Sequence, residues 1–256
     1  MNQCIVSGGY DGTILMFDIV SGQIIFAPFE AHCDPVSSVD FSSTGKEYVT
    51  GGHDGLVRIW DSSYSAICKK SLYSDNSPAV SCVNFSHGGE FLLVSTLDDT
   101  HRLYNNQGNK FPTKCLKQYK GHLNKRYSIF SSLYISQFGS MIVSGSDDKK
   151  VFLWDIKSGK LLKKLEGHDD SVLAIACNPT KFQVASGGRD NNITLWNLSY
   201  DNSVNVDMEQ DINIDKSTDK NKQNDDMEID MNVDIDTASK ITATETNMIQ
   251  ADTNEI

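Results

Sequence analysis

The chain has 256 residues, 39% of them apolar, and a formal net charge of −11. Its apolar runs, such as "FLLV" at 91–94, are far too short to cross a bilayer as a helix, and no signal peptide is expected. The charge is uneven: residues 201–256 hold fifteen Asp/Glu against four Lys, whereas residues 1–200 hold nineteen acids and nineteen bases.

From the first residues onward the chain repeats one sentence. It reads "SGGYDGTILMFD" at 7–18, "TGGHDGLVRIWD" at 50–61, "VSTLDDTHRLYN" at 94–105, "SGSDDKKVFLWD" at 144–155 and "SGGRDNNITLWN" at 186–197. Each copy has an acid six residues before an aromatic: Asp11/Phe17, Asp54/Trp60, Asp98/Tyr104, Asp148/Trp154 and Asp190/Trp196. Such self-similarity marks a stack of small units, none of which can bury its own faces alone. Runs of four to six apolar and β-branched residues, broken by Asp, Gly, Asn and Ser, predict about four short strands per unit. The Asp of each copy belongs to a tight turn, where it can bond backbone donors.

Upstream of three copies stands a histidine, at 32, 122 and 168. The cysteines at 4, 33, 68, 82, 115 and 177 form no CxxC pair and read as buried, reduced thiols of an intracellular protein. The six histidines do not fall at metal-ligand spacing. No paired nucleophile or phosphate-binding glycine loop is present either, so a non-enzyme without metal or cofactor is expected. The last 56 residues lack Gly, Pro, Cys and every aromatic, and cannot bury enough apolar surface to offset their ordering entropy. A folded domain over 1–200 and an acidic, disordered tail over 201–256 follow. Within the tail, "MEIDMNVDID" at 227–236 alternates like a strand, and 204–208 are expected to pair with "ITLWN" as the outer strand of the last unit.

The repeat resembles the WD40 repeat, which builds β-propellers. The resemblance implies an all-β propeller with about five blades present, the first and last partial, out of seven. It also implies structural tetrads of His32, Thr50, Asp54 and Trp60, of His122, Ser144, Asp148 and Trp154, and of His168, Ser186, Asp190 and Trp196. The remaining copies depart, with Phe17 and Tyr104 in place of Trp and Asn76 in place of His.

One segment breaks the repeat in a way that points to function. The first strand of each unit carries Ser38, Cys82 and Ala174 at one position, but the segment "KRYSIFSSL" at 125–133 puts Phe130 there. Together with "AHCDPVSSVDF" and "PAVSCVNFSHGGEFLLVSTLDDT", it is similar to the WD-repeat adaptors of COMPASS-type histone H3 lysine-4 methyltransferase complexes. That likeness implies a nuclear scaffold that captures an arginine-bearing peptide in the central channel. Phe130 would stack on the guanidinium, with Tyr127, Ser128, Ser37, Ser81, Pro35 and Tyr10 around it. A second surface, a side cleft at Phe91, Leu103, Lys117 and Ile135, would bind another subunit. The implied partners are a SET-domain methyltransferase and other complex subunits, with histone H3 among the candidates, and neither a membrane nor direct nucleic acid. The alternatives are a ubiquitin-ligase substrate receptor and a splicing or RNA-processing scaffold. "WDSS" and "WDIK" after the third strand depart from the Trp-Asp-x-Arg of many such receptors, and a neutral body gives no basic face for RNA.

Overall fold

The computed structural model describes residues 4–63, 67–73, 76–107, 115–136, 139–200 and 241–250. Among these there is no α-helix, and nineteen strands form five antiparallel sheets. Sheet 1 has three strands, β1 (Cys4–Gly8), β2 (Thr13–Asp18) and β3 (Ile24–Glu30). Sheet 2 runs β4 (Val36–Phe41), β5 (Glu47–Gly52), β6 (Leu56–Asp61) and β7 (Cys68–Tyr73). Sheet 3 runs β8 (Val80–Phe85), β9 (Phe91–Thr96), β10 (Thr100–Asn105) and β11 (Cys115–Lys120), and sheet 4 runs β12 (Ser131–Ser136), β13 (Gly139–Ser144), β14 (Lys150–Asp155) and β15 (Leu161–Glu166). Sheet 5 joins β16 (Val172–Cys177), β17 (Gln183–Gly188) and β18 (Asn192–Tyr200) to β19 (Ile241–Gln250).

Each sheet packs on the next. Ile14 and Met16 of sheet 1 meet Tyr48 and Trp60 of sheet 2. Val49 and Ile59 meet Val83 and Leu92 of sheet 3, Leu93 and Leu103 meet Ile142 and Trp154 of sheet 4, and Val143 and Leu153 meet Val184 and Trp196 of sheet 5. The first strands β4, β8, β12 and β16 contact one another in sequence and so line a common axis. This is the sheet stacking of propeller blades. Two apolar faces carry no neighbour among the described residues. One holds Ile5, Phe17 and Ile24, which are register partners in sheet 1, and the other holds Ala174, Ala176, Ile193 and Leu195 in sheet 5.

The turn leading into β2, β6, β10, β14 and β18 repeats one geometry. The residue following the Asp is left-handed in all five sheets: Gly12, Gly55, Asp99, Lys149 and Asn191, with φ between 59° and 78°. At Gly12 and Gly55 a Cβ would also stand 2.2 Å from a backbone oxygen, of His32 and Ser77 respectively, so only glycine fits there.

Three expectations change. The last sheet, expected to be partial, is four-stranded because the chain returns from beyond residue 240 to pair β19 along β18, from Asn192↔Gln250 to Tyr200↔Ile241. "ITATETNMIQ" is rich in Thr and Ile and carries one charge, Glu245, so backbone pairing costs it little; the acids concentrate upstream. The segments 204–208 and 227–236 lie outside the described residues, and the β18 edge expected to receive 204–208 is taken by β19. Of the six cysteines, all unpaired, only Cys82 is buried; Cys33 and Cys68 are exposed. Cys68 lies on an outermost strand and Cys33 precedes β4, beyond the tight contact between sheets.

Candidate channel-mouth site

In sheets 2 and 5 the histidine, hydroxyl, carboxylate and indole form a continuous relay. Trp60 Nε1 donates to Thr50 Oγ1 at 2.9 Å, Thr50 Oγ1 lies 2.8 Å from His32 Nε2, and His32 Nδ1 lies 2.9 Å from Asp54 Oδ1. An indole can only donate, so the threonine proton points to Nε2 and the ring proton at Nδ1 faces the carboxylate. Burial lowers the His32 pKa, which keeps the ring neutral; burial would raise Asp54, but the ring and the Leu56 amide outweigh it and hold the carboxyl below its ordinary range. Sheet 5 repeats this with Trp196 Nε1 to Ser186 Oγ, Ser186 Oγ to His168 Nε2 and His168 Nδ1 to Asp190 Oδ2, each 2.8 Å. The backbone then locks on, with Cys33 N donating to Asp54 Oδ2 at 3.2 Å and Asp169 N to Asp190 Oδ2 at 2.9 Å. The connectivity is that of an acid–base–nucleophile triad. Yet both hydroxyls are buried and already bonded to an indole, so no substrate reaches them.

Sheet 4 has the same residues as sheet 5, and Ser144 for the Thr50 of sheet 2, and they do not assemble. His122 makes no hydrogen bond through either ring nitrogen, Ser144 Oγ donates to its neighbour Gly145 O at 2.9 Å, and Trp154 Nε1 donates to Lys120 O at 3.2 Å. His122 packs on His101 instead. At the position of His101 sheets 1, 2, 4 and 5 carry Ile14, Val57, Val151 and Ile193. His101 instead stacks on His122 with ring centroids 4.0 Å apart and planes 5° from parallel, and Trp154 meets both edges. Its Nδ1 lies 2.6 Å from Ser95 Oγ, which lies 2.8 Å from Ser131 Oγ. Ser95 also departs from the repeat, since its counterparts are Gly8, Gly51, Gly145 and Gly187. A Cβ on Gly51 would stand 2.6 Å from Val80, whereas the residue of the next sheet that corresponds to Val80 is, for Ser95, the smaller Ser128. In sheet 3 Asn76 stands exposed at the histidine position and Arg102 donates to Asp98 Oδ2 at 2.6 Å and to Thr96 Oγ1 at 2.5 Å; Arg58, at the matching position of sheet 2, reaches Asp54 Oδ2 at 3.4 Å with its histidine present.

The segment 123–130 lies beside these turns. Asn124 N donates to Asp99 Oδ1 at 2.6 Å, Lys125 N and Arg126 N donate to Asp147 Oδ2, and Asn124 Nδ2 donates to Ser81 Oγ at 2.9 Å. From this anchored base Tyr127 and Ser128 reach sideways. Arg189 of sheet 5 stacks over the Tyr127 ring, 4.8 Å from its centroid, and bonds its hydroxyl. His53 Nε2 of sheet 2 lies 3.4 Å from Ser128 Oγ. Sheets 2 and 4 are separated by sheet 3, so this contact is made where the sheets converge on the axis.

Phe130 keeps strand register with its siblings. Gly145 N donates to Phe130 O, as Gly51 pairs with Ser38 and Ser95 with Cys82, and Phe130 N donates to Leu173 O of sheet 5 at 2.8 Å. Its side chain is 45% exposed, so it is not part of a packed core. Tyr10 is fully open at 89%, Pro35 and Ser37 are half-buried, and Ser37 Oγ donates to Gly51 O. Ser81 is buried beneath Asn124 and offers no surface for a ligand.

The side-cleft residues are divided in the same way. Leu103 is buried between sheets 3 and 4, Phe91 packs against that core, and Lys117 Nζ donates to Ile156 O, while Ile135 is exposed. Sequence reasoning missed Ser95, His101, Arg102 and Arg189. The first two were marked, since each breaks a column of glycines or aliphatics in the repeat; the other two lie in columns of mixed chemistry.

The WD domain, G-beta repeat profile matches residues 23–61, 66–105, 113–155 and 159–197. The chain belongs to the WD40 repeat family. It is 32% identical over 154 residues to the WD repeat domain-containing protein 83 homolog of Dictyostelium discoideum, covering 60% of this chain and 44% of that one. It is 28% identical over 198 residues to the pre-mRNA-processing factor 19 homolog 2 of Arabidopsis thaliana, covering 76% and 36%. Against pre-mRNA-processing factor 17 of Homo sapiens the identity is 27% over 196 residues, covering 75% and 32%. The chain therefore spans less than half the length of each of these relatives.

Proposed function

We propose that this WD40 chain is a non-catalytic scaffold that captures an arginine-bearing peptide at the channel mouth. The observation that carries the reading is Phe130: a half-exposed aromatic face at an axial position that three sibling strands fill with small residues. An exposed ring is available to a guanidinium, and the cation–π contact is worth about 0.5–2 kcal/mol, more as water is excluded from it. The stacked pair Arg189–Tyr127 displays the same chemistry within the chain. Tyr127, Ser128, Ser37, Pro35 and Tyr10 surround the pocket in this reading.

Two nuclear assemblies fit. The names of relatives support an RNA-processing complex, since two of those quoted are pre-mRNA-processing factors. The wording of 125–133 supports a histone H3 lysine-4 methyltransferase complex with a SET-domain subunit. The comparisons favour the first. Purification of the complex from cells separates them: spliceosomal subunits support RNA processing, and a SET-domain methyltransferase with its core subunits supports the other.

The pocket itself is tested by Phe130→Ala. Affinity for an arginine-containing peptide should fall by at least about 1–2 kcal/mol with a nearly unchanged melting temperature, because an exposed ring contributes far less than the about 3–5 kcal/mol of a buried one. A large stability loss with unchanged peptide affinity contradicts the reading.

A further inference from the structure

The buried histidine pair is the largest departure from the repeat, and nothing in a scaffold requires it. His101 Nε2 and both ring nitrogens of His122 are buried without a partner, a costly arrangement. A second place for His122 exists a few side chains away. Ser144, Asp148 and Trp154 are the residue types that hold His168, with Ser for Thr the set that holds His32, and Asp148 Oδ1 is itself buried and unpartnered. We propose that His122 has two seats, one stacked on His101 and one in the Ser144–Asp148–Trp154 relay, and that exchange between them re-anchors the segment carrying Tyr127, Ser128 and Phe130.

The backbone shows what the exchange would change. Where the relay is assembled, the amide after the histidine donates to the aspartate: Cys33 to Asp54, Asp169 to Asp190. After His122, Leu123 N instead donates to Ser146 Oγ at 3.0 Å, and Leu123 O accepts from Ser146 Oγ and Asp147 N. Moving His122 to the relay seat brings the Leu123 amide to Asp148 and shifts the first anchor of 123–130 by one turn contact. The residue on the preceding sheet decides which seat is filled: Ile14 precedes His32, Val151 precedes His168, and His101 precedes His122.

A proton drives the exchange toward the relay. Asp98 and Asp99 on the β9–β10 turn and Asp147 and Asp148 on the β13–β14 turn attract a charged His122 ring. They do so already in the stacked seat, but burial outweighs them there, and His101, which His122 and Arg102 both repel when charged, stands against the ring. Burial holds both rings below their ordinary value, so the stacked pair is neutral at pH 7. Acid therefore favours the seat on Asp148, where the charge is paired.

The test follows the Leu123 amide and the Trp154 indole N–H by ¹H–¹⁵N NMR on the full chain. Lowering the pH from 7.5 to 4 should move both together in the wild type and neither in Asp148→Asn. His101→Val should place both at the acid position already at pH 7.5. Signals that stay at the wild-type position in His101→Val, or that move with acid equally in Asp148→Asn, overturn the two seats. The effect on the pocket rests on the proposed function, and is read with an acetyl-Ala-Arg-Ala-amide probe. Its affinity should drop about fivefold or more in His101→Val, a typical coupling. Shifted signals with unchanged, Phe130-dependent affinity overturn the coupling to the pocket. Absence of any Phe130-dependent binding overturns the pocket itself, while the seats are still decided by the NMR signals alone.

Discussion

Blades 2 and 4, the sheets of those numbers, each contain a histidine, a hydroxyl residue, an aspartate and a tryptophan at matching positions, and behave differently. In blade 2 a threonine hydroxyl joins an indole to an imidazole and an imidazole to a carboxylate. In blade 4 the corresponding serine turns to its own neighbour, the indole finds a backbone carbonyl, and the histidine stacks on another histidine. The difference coincides with a contact from one blade away, where His101, bonded to Ser95, stacks on His122. A hydrogen-bond network is thus a property of the interface between blades, and the residues named in one blade do not determine it.

The largest expected effect sharpens this contrast directly. Thr50→Val or Ser186→Ala leaves a buried indole N–H and an imidazole nitrogen without a partner, at about 2–4 kcal/mol of unfolding free energy. Ser144→Ala removes a single neutral bond and should cost under about 1 kcal/mol. Chemical denaturation of the three variants measures both, and equal losses would break the comparison.

Acid is the next lever. Burial pushes His122 down to about 4, against about 6.5 in the unfolded chain. The unfolded state therefore binds the extra proton first, and the stability present above pH 6.5 is lost as the pH falls from there toward 4. The loss from this group is at most about 3 kcal/mol, at 1.36 kcal/mol per pKa unit. His32, also lowered by burial, adds a loss of the same sign. Replacing His122 by Asn should flatten the decline between pH 6.5 and 4, measured as the denaturation midpoint across that range; an unchanged decline would assign it elsewhere.

The smallest effect concerns the turn that all blades share. Lys149 holds φ of 71° where blades 1 and 2 use glycine. Lys149→Gly removes a left-handed side-chain penalty of about 1–2 kcal/mol, offset in part by the entropy of glycine, for a net gain of about 1 kcal/mol in blade 4. Gly55→Ala in blade 2 has the opposite sign, because the new Cβ meets the Ser77 carbonyl.

Much of this fold is legible in the sequence because its signals are local. Five Asp-to-aromatic spacings, the period-2 strands and the turn acids each act within a dozen residues. The return of β19 is not legible that way. Forty residues separate it from β18, its outer-edge position demands no apolar pattern, and pairing is through the backbone. The failure of the His122 relay has a different origin. His122, Ser144, Asp148 and Trp154 match their sheet 5 siblings letter for letter and differ from those of sheet 2 only by Ser for Thr, and the residue stacked on His122 lies on a neighbouring sheet. At the candidate site the exceptional Phe130 was readable from its column, whereas the reach of His53 to Ser128 depends on how steeply the sheets converge.

The chain has three tryptophans, and each stands at one relay. Their indole N–H signals in a ¹H–¹⁵N correlation spectrum report the three partners separately. Thr50→Val should move only the Trp60 signal and Ser186→Ala only that of Trp196, because those hydroxyls accept from those indoles. Ser144→Ala should leave the Trp154 signal in place, because Trp154 donates to Lys120 O. A Trp154 shift in Ser144→Ala as large as the other two would mean that the blade 4 relay is assembled at neutral pH, and the central contrast would be wrong.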